Sequence, residues 1–453
     1  MYYMKKIFSI ACGCIIMFSC NNEMEQTINE IKPYDTKIEI SEISSDVTLY
    51  DIQAYIQKES PVASRNGKNG DIEIITYQND TVMYLLNYAN GWEMLPGDKR
   101  FPLRIAYNDE GTLDYANMNE TQRMWFNNMA EKIYIMKKYG YNIENEYCKV
   151  WNRFSKKKKK YANSRTVIDG EGGWIYHNTR IETEIPSYKN HLTTTLWHQT
   201  GVYNNYCPKI ESSSIDQEPA GCVAVAGAQV IYYLQKLWGY PSPTPSTATY
   251  NEVENKYIFS NWNYSEWDLI ESGNTNAIAK LIGNVGTLFN VVYDEANIIE
   301  HLPIAMNSYN IGYTKENIEW PTDIIVSNLD RNLPVIGGLL YGNNIEGGHA
   351  VIIDGYKKVN TTYTDVYIHV EDPNSYLGDI YDHDESGDPV PEEGPTQTTS
   401  YTISDYYYLF NWGGDVTSQD NTYYHADSSV SELGDPNVLY HIKKQIMYNF
   451  HQK

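Results

Sequence analysis

The sequence predicts an α+β protein with two cores, and three stretches carry that reading. Residues 222–237 place Val225, Ala226, Val230, Tyr233, Leu234 and Leu237 at helical spacing until Gly239 and Pro241 stop the run. Short apolar β-runs follow at Ala350-Val351-Ile352-Ile353 and at Leu409-Phe410. Ahead of both, from about 46 to 155, lies a smaller unit that mixes helix and strand patterns. With 453 residues, 42% of them apolar and 13% aromatic, the chain has material for both cores.

Taken in order, residues 1–20 read as an export signal. Lys5 and Lys6 form a charged start, Ile7 to Phe18 an apolar stretch too short for a permanent span, and Phe18-Ser19-Cys20 a short lipobox-like end. The expected outcome is cleavage before Cys20 and lipid attachment to its sulfur; the alternative is plain secretion with Cys20 incidental. Residues 21–45 are polar and read as a tether.

In the unit 46–155, Thr48 to Ile56 reads as a helix, and Asp71 to Tyr77, Val82 to Tyr88 and Trp92 to Leu95 alternate as strands. Turns are expected at Gln78-Asn79-Asp80 and Asn90-Gly91, and a helical period runs from Asn119 to Lys138. Nothing in this unit pairs a nucleophile with a base. The basic block Lys156 to Lys160 opens a linker, 156–188, read either as a solvated segment or as a maturation site, with processing expected between Lys156 and Tyr188.

Charge narrows the choice of partners. With 35 basic against 58 acidic residues the net charge is −23, which repels nucleic acid and anionic membrane surfaces, so membrane contact is expected only through a lipid on Cys20. Cys12 and Cys14 leave with the signal, and Cys148, Cys207 and Cys222 remain beside Cys20. An odd remainder in an exported chain implies a free thiol.

Cys222 follows Gly221 at the front of the helical run, where unpaired N–H groups and the helix dipole favour a thiolate. A buried core cysteine is the bland alternative. A base is available at His349, behind Gly347-Gly348, and an amide and an indole stand together at Asn411-Trp412-Gly413. Cysteine, histidine and asparagine in that order suit an activated thiol, its general base and a group fixing the base's tautomer. The other histidines, His198 and His369 among them, have no partner pattern. The spacing Asp382-x-Asp384-x-Ser386-Gly387 with Glu393 beyond matches a calcium loop, but Pro389 and Pro391 interrupt it and it reads as an acidic surface loop.

These segments resemble the streptopain-type cysteine peptidases, papain-like enzymes made as zymogens. The resemblance rests on Leu196-Trp197-His198-Gln199 with Tyr203 to Pro208, on Gly221-Cys222-Val223-Ala224, on Gly348-His349-Ala350 ending in Asp354-Gly355-Tyr356, and on Asn411-Trp412-Gly413. The stretch Gly91 to Arg100, with Tyr107 and Gly111, is similar to the family's Spi-like propeptide.

The resemblance implies a papain-like two-subdomain peptidase over 189–453, helical half and antiparallel β half, behind an inhibitory prodomain over 46–155. An adhesion or spacer domain is the other reading of that prodomain. The resemblance further implies Cys222 as nucleophile, His349 as base, Asn411 as its orienting group under the shield of Trp412, and Gln199 as oxyanion donor, with Gln217 the competitor. Expected substrates are proteins or peptides with an apolar residue near the scissile bond; no cofactor or metal is expected. A departure is the single tryptophan in Asn411-Trp412-Gly413-Gly414-Asp415 where the family has a second, which bears on one cleft wall. The glycines Gly337, Gly338, Gly342, Gly347 and Gly348 suggest a loop that closes on substrate. Two alternatives stay open: an inactive surface-binding lipoprotein on the same scaffold, and a thiol acyltransferase.

Overall fold

The computed structural model describes residues 45–58, 70–118, 120–140, 145–154, 173–210, 216–288, 297–318, 320–341, 348–370, 396–413, 421–426 and 442–453. Several sequence readings therefore lie outside the described residues. These are the export signal, Cys20, the tether up to residue 44, the block Lys156 to Lys160, the acidic loop 382–393, Gly342, Gly347 and the Gly414-Asp415 step.

The N-terminal unit follows its sequence pattern closely. Helix α1 spans Leu49–Lys58, and strands β1 (Asp71–Tyr77), β2 (Asp80–Asn87), β3 (Trp92–Pro96) and β4 (Ala106–Asn108) form an antiparallel meander. Gln78 and Asn79 take positive φ in the first turn, as a tight hairpin requires, and Gly91 does so in the second. Helix α2 (Glu120–Tyr139) buries Trp125, Phe126, Met129, Ala130, Ile133 and Met136, a stripe at steps of three and four. Lys137 and Lys138 in its last turn complement the helix dipole. A short helix α3 (Glu146–Trp151), capped by Asn145, closes the unit.

The remainder supplies a helical half and a β half, the α+β architecture that the resemblance implies, behind the smaller N-terminal unit. Helix α4 (Cys222–Leu237) packs against α6 (Thr275–Leu288) and α7 (Ile298–Ser308); α5 (Glu266–Glu271) and the hairpin β6 (Thr244–Asn251) and β7 (Lys256–Asn263) flank them. Val225, Val230 and Leu234 enter this core as the helical period requires, whereas Leu237 at its end is 47% exposed. The β half contains β5 (Gly173–Lys189), β8 (Ile311–Glu316), β9 (Val335–Tyr341), β10 (Gly348–Val370), β11 (Thr396–Asn411), β12 (Tyr423–His425) and β13 (Ile442–Gln452), with helix α8 (Thr322–Asp330) against it. Among the described residues no helix is long and apolar enough to cross a membrane.

Three features differ from the sequence reading. First, the prodomain shares a sheet with the peptidase: the strand order is β1-β2-β3-β4-β12-β11-β10-β9-β13-β8, with β5 also on β10. Tyr107 pairs with Tyr423 and Ala106 with Tyr424, and one core joins Trp125, Phe126 and Met129 to Val351, Phe410, Trp412 and Tyr424. Second, the span 156–188 is not all linker, because β5 pairs with β10 from Gly173 onward. Third, Gly337 and Gly338 sit in β9, where a side chain at Gly337 would meet the Trp320 ring at 2.5 Å and one at Gly338 would crowd Gln445. Their small size serves close packing.

The start of β10 is buried on both faces. Ala350 and Ile352 enter the helical core and Val351 and Ile353 the core shared with the prodomain, which explains the unbroken apolar run. The prodomain is also tied by polar contacts near the entrance to residues 155–172. Arg153 pairs with Asp365 at 3.2 Å, donates to Tyr401 Oη at 2.7 Å and lies 4.8 Å over the Tyr363 ring, while Tyr147 Oη donates to Asp405 at 2.9 Å.

Candidate active site

Gly221, at φ 81°, bends the chain so that Cys222 becomes the first residue of α4. That conformation suits glycine and would strain another residue. The sulfur is half-buried and accepts a hydrogen bond from the Ala350 N–H at 3.3 Å. Burial alone would push this thiol up. The charge and hydrogen bond of His349, helped by the N–H groups of Ala350 and Val223, outweigh burial and hold the thiol below its ordinary range.

The contrast with Cys207 separates the two effects. Cys207 is buried without such partners, and its thiol is pushed up to about 12. Cys148 is also buried, on α3 of the prodomain. Of the three cysteines among the described residues, Cys222 alone combines partial exposure with a neighbouring imidazole.

His349 is buried at the start of β10, where its strand pairs with β9 through Leu339. Its Nε2 lies 3.0 Å from the main-chain carbonyl oxygen of Trp412. A carbonyl only accepts, so Nε2 carries its proton and Nδ1 is the nitrogen that can take or give one. The structure thus brings Cys222, His349 and the Trp412 main chain together.

The Asn411 side chain points elsewhere. Its Nδ2 donates to Thr193 Oγ1 at 3.0 Å and to Thr195 O at 2.8 Å, and its amide pairs reciprocally with that of Gln229. The contact expected from the Asn411 amide to the ring is made by the next residue's carbonyl. The physical reason is local: Asn411 Oδ1 accepts the Gly413 N–H at 3.2 Å, turning the chain around Trp412 so that its carbonyl faces the ring. The Trp412 indole is buried, 4.8 Å from Phe410 and 5.3 Å from Tyr424, and walls this turn from water.

Gln199 is tied to the segment leading into α4, its carbonyl accepting from the Ala220 N–H at 2.7 Å, two residues before Cys222. Its side chain is partly exposed. Gln217 pairs with Lys209 in an isolated bridge, and its carbonyl accepts from Asn204 at 3.2 Å, which ties it into the adjoining loop. His198 stacks on Tyr203 at 5.2 Å, and His369 is the register partner of Trp174 where β10 pairs with β5.

Two residues to which sequence reasoning gave no role also lie in this network. Gln229 is fully buried on α4, and Asp354 is fully buried beside His191 and Thr193. A lone amide two turns after Cys222, inside an otherwise apolar helix face, was a readable signal for the first. The second stood in the segment Asp354-Gly355-Tyr356, but its role was hidden because its partners lie some 160 residues away in sequence.

Comparison with known families agrees with this layout. Residues 197–371 match the Peptidase C10 family, and residues 44–133 match the Spi protease inhibitor family. Among curated proteins none matches the chain.

Proposed function

We propose, for a chain that carries a Peptidase C10 region behind a Spi-type inhibitor region and is therefore laid out as a cysteine peptidase zymogen, that it is an exported endopeptidase working through Cys222 and His349. The observation that carries the reading is the sulfur of Cys222, held at a helix start against the Ala350 N–H and an imidazole that lowers its proton affinity. In this reading the Cys222 thiolate attacks the peptide carbonyl carbon. The resulting oxyanion is met by the Cys222 N–H and the Gln199 side-chain amide. His349 passes its Nδ1 proton to the leaving amine, then takes one from the water that releases the acyl group and the thiolate. The Trp412 carbonyl keeps the ring in the tautomer these transfers need.

The inhibitor region acts within the same chain, with the processing cut falling before Gly173, since β5 is hydrogen-bonded from there on. Export through residues 1–20 and lipid attachment at Cys20 complete the reading, and the intact mass of envelope-derived protein tests them. The peptidase itself is tested with an epoxide inhibitor of the E-64 type. It should label Cys222 in the processed protein, abolish hydrolysis of unfolded protein substrate, and leave a Cys222→Ala variant unlabelled. Folded, processed protein that neither hydrolyses nor is labelled would sink the reading.

A further inference from the structure

Gln229 lies seven residues after Cys222, two helical turns on and so on nearly the same side of α4. A fully buried amide in this apolar helix must be satisfied or it destabilises the fold, and all its partners belong to site segments. Its Oε1 accepts from the Trp197 N–H at 3.4 Å and from Asn411 Nδ2 at 3.2 Å, and its Nε2 donates to Asn411 Oδ1 at 3.3 Å. Asn411 in turn holds the Gly413 N–H, closing the turn whose Trp412 carbonyl meets His349 Nε2. The fit is close on the other side too: a side chain at Gly413 would meet Val225 of α4 at 3.0 Å and Gln229 Nε2 at 3.6 Å.

We infer that the Gln229–Asn411 amide pair is a clamp that registers three parts of the site: the helix bearing Cys222, the turn that orients His349 and the segment leading to Gln199. Gln229 is a positioning residue, acting through Asn411 and the Trp412 main chain without touching the reacting atoms. The pair is anchored in turn, since Asn411 Nδ2 reaches Thr193, whose Oγ1 and N–H both donate to Asp354. Asp354 also faces His191 Nδ1 at 2.7 Å, so the polar chain from the clamp continues through Thr193 to that pair.

The inference rests on the peptidase reading and is tested so that the two can fail separately. The full-length chain and its processed form are alkylated with iodoacetamide across pH, and modification of the Cys222 peptide is followed by mass spectrometry. Gln229→Met keeps the volume and removes the pair. A Gln229→Met inflection higher than wild type by about one pH unit, with kcat down roughly 10- to 100-fold and KM within about twofold, supports the clamp. An inflection and kcat equal to wild type, with only the melting temperature lowered, overturns it. Should Gln229→Met fail to fold, Asn411→Ala removes the pair from the other side and is read by the same two criteria. A wild-type chain whose Cys222 titrates as an ordinary thiol and that hydrolyses nothing refutes the peptidase reading itself.

Discussion

Trp125 of the prodomain is the most informative residue to remove, because its indole joins α2 to the peptidase sheet. It is 7% exposed, lies 4.8 Å from the Tyr424 ring and 5.1 Å from Phe126, and Tyr424 packs in turn on Trp412 at 5.3 Å. Burying an indole removes about 200 Å² from water, which at about 25 cal/mol per Å² is roughly 5 kcal/mol, the upper end of measured Trp→Ala losses. Its two ring neighbours divide evenly, Phe126 on the prodomain and Tyr424 on the peptidase sheet, so Trp125→Ala should withdraw about 2 kcal/mol from the contact between the two regions. That is roughly a 30-fold larger fraction of open, uncleaved chain. Epoxide labelling of Cys222 in the uncleaved protein measures this directly. The expected result is a rate raised by about 30-fold in the variant, with no change once the prodomain has been removed. A folded Trp125→Ala precursor that labels at the parental rate would refute the claim that this contact holds the inhibitor in place.

Three further outcomes follow from the site and its surroundings. His349→Ala leaves burial opposed only by two main-chain donors acting on Cys222, so its thiolate should form at higher pH than in the wild type. Alkylation of Cys222 at pH 7 should then fall by about 100-fold or more, and a rate equal to wild type would contradict the pairing. Gln199→Ala should lower kcat by roughly 100-fold with the thiol titration unchanged, whereas an unchanged kcat would move the oxyanion role to Gln217. Burial alone would raise the Asp405 carboxyl, but hydrogen bonds from His425 and Tyr147 hold it below its ordinary range. A depressed carboxyl contributes stability that is full above the ordinary aspartate value near 4 and is lost as pH falls through the lower folded value. The melting temperature of the precursor should therefore drop in that window, and Asp405→Asn should flatten the drop.

Much of this architecture was legible because it is local. Gly221 and Gly239 bound α4 with positive φ at either end, and the strand alternation and turns of the prodomain are written in contiguous residues. What was hidden depends on distant partners or on the main chain. The pairing of Tyr107 with Tyr423 joins residues more than 300 positions apart, and nothing in either three-residue strand announces it. From Thr179 to Lys189 β5 carries no buried side chain, so Thr183, Glu184 and their neighbours read as linker although β10 hydrogen-bonds them. The acceptor for His349 is a peptide carbonyl, which has no letter of its own, so sequence reasoning fell on the adjacent amide of Asn411. Gln229 was overlooked because glutamine is an ordinary helix former, although an amide in an apolar helix face two turns after Cys222 marked it; what the sequence could not show is its pairing with Asn411, 182 residues away.

The short β12 strand has a life beyond the precursor. While the prodomain is present, Tyr423 and Tyr424 pair with β4, and the His425 N–H reaches the Ile105 carbonyl at 2.8 Å. Once that neighbour departs, these peptide groups face solvent beside newly bared aromatic rings, a rim able to template another extended chain. Freshly matured molecules should accordingly adhere to one another or to unfolded polypeptide along this rim, and its three-residue length keeps such adhesion short-lived.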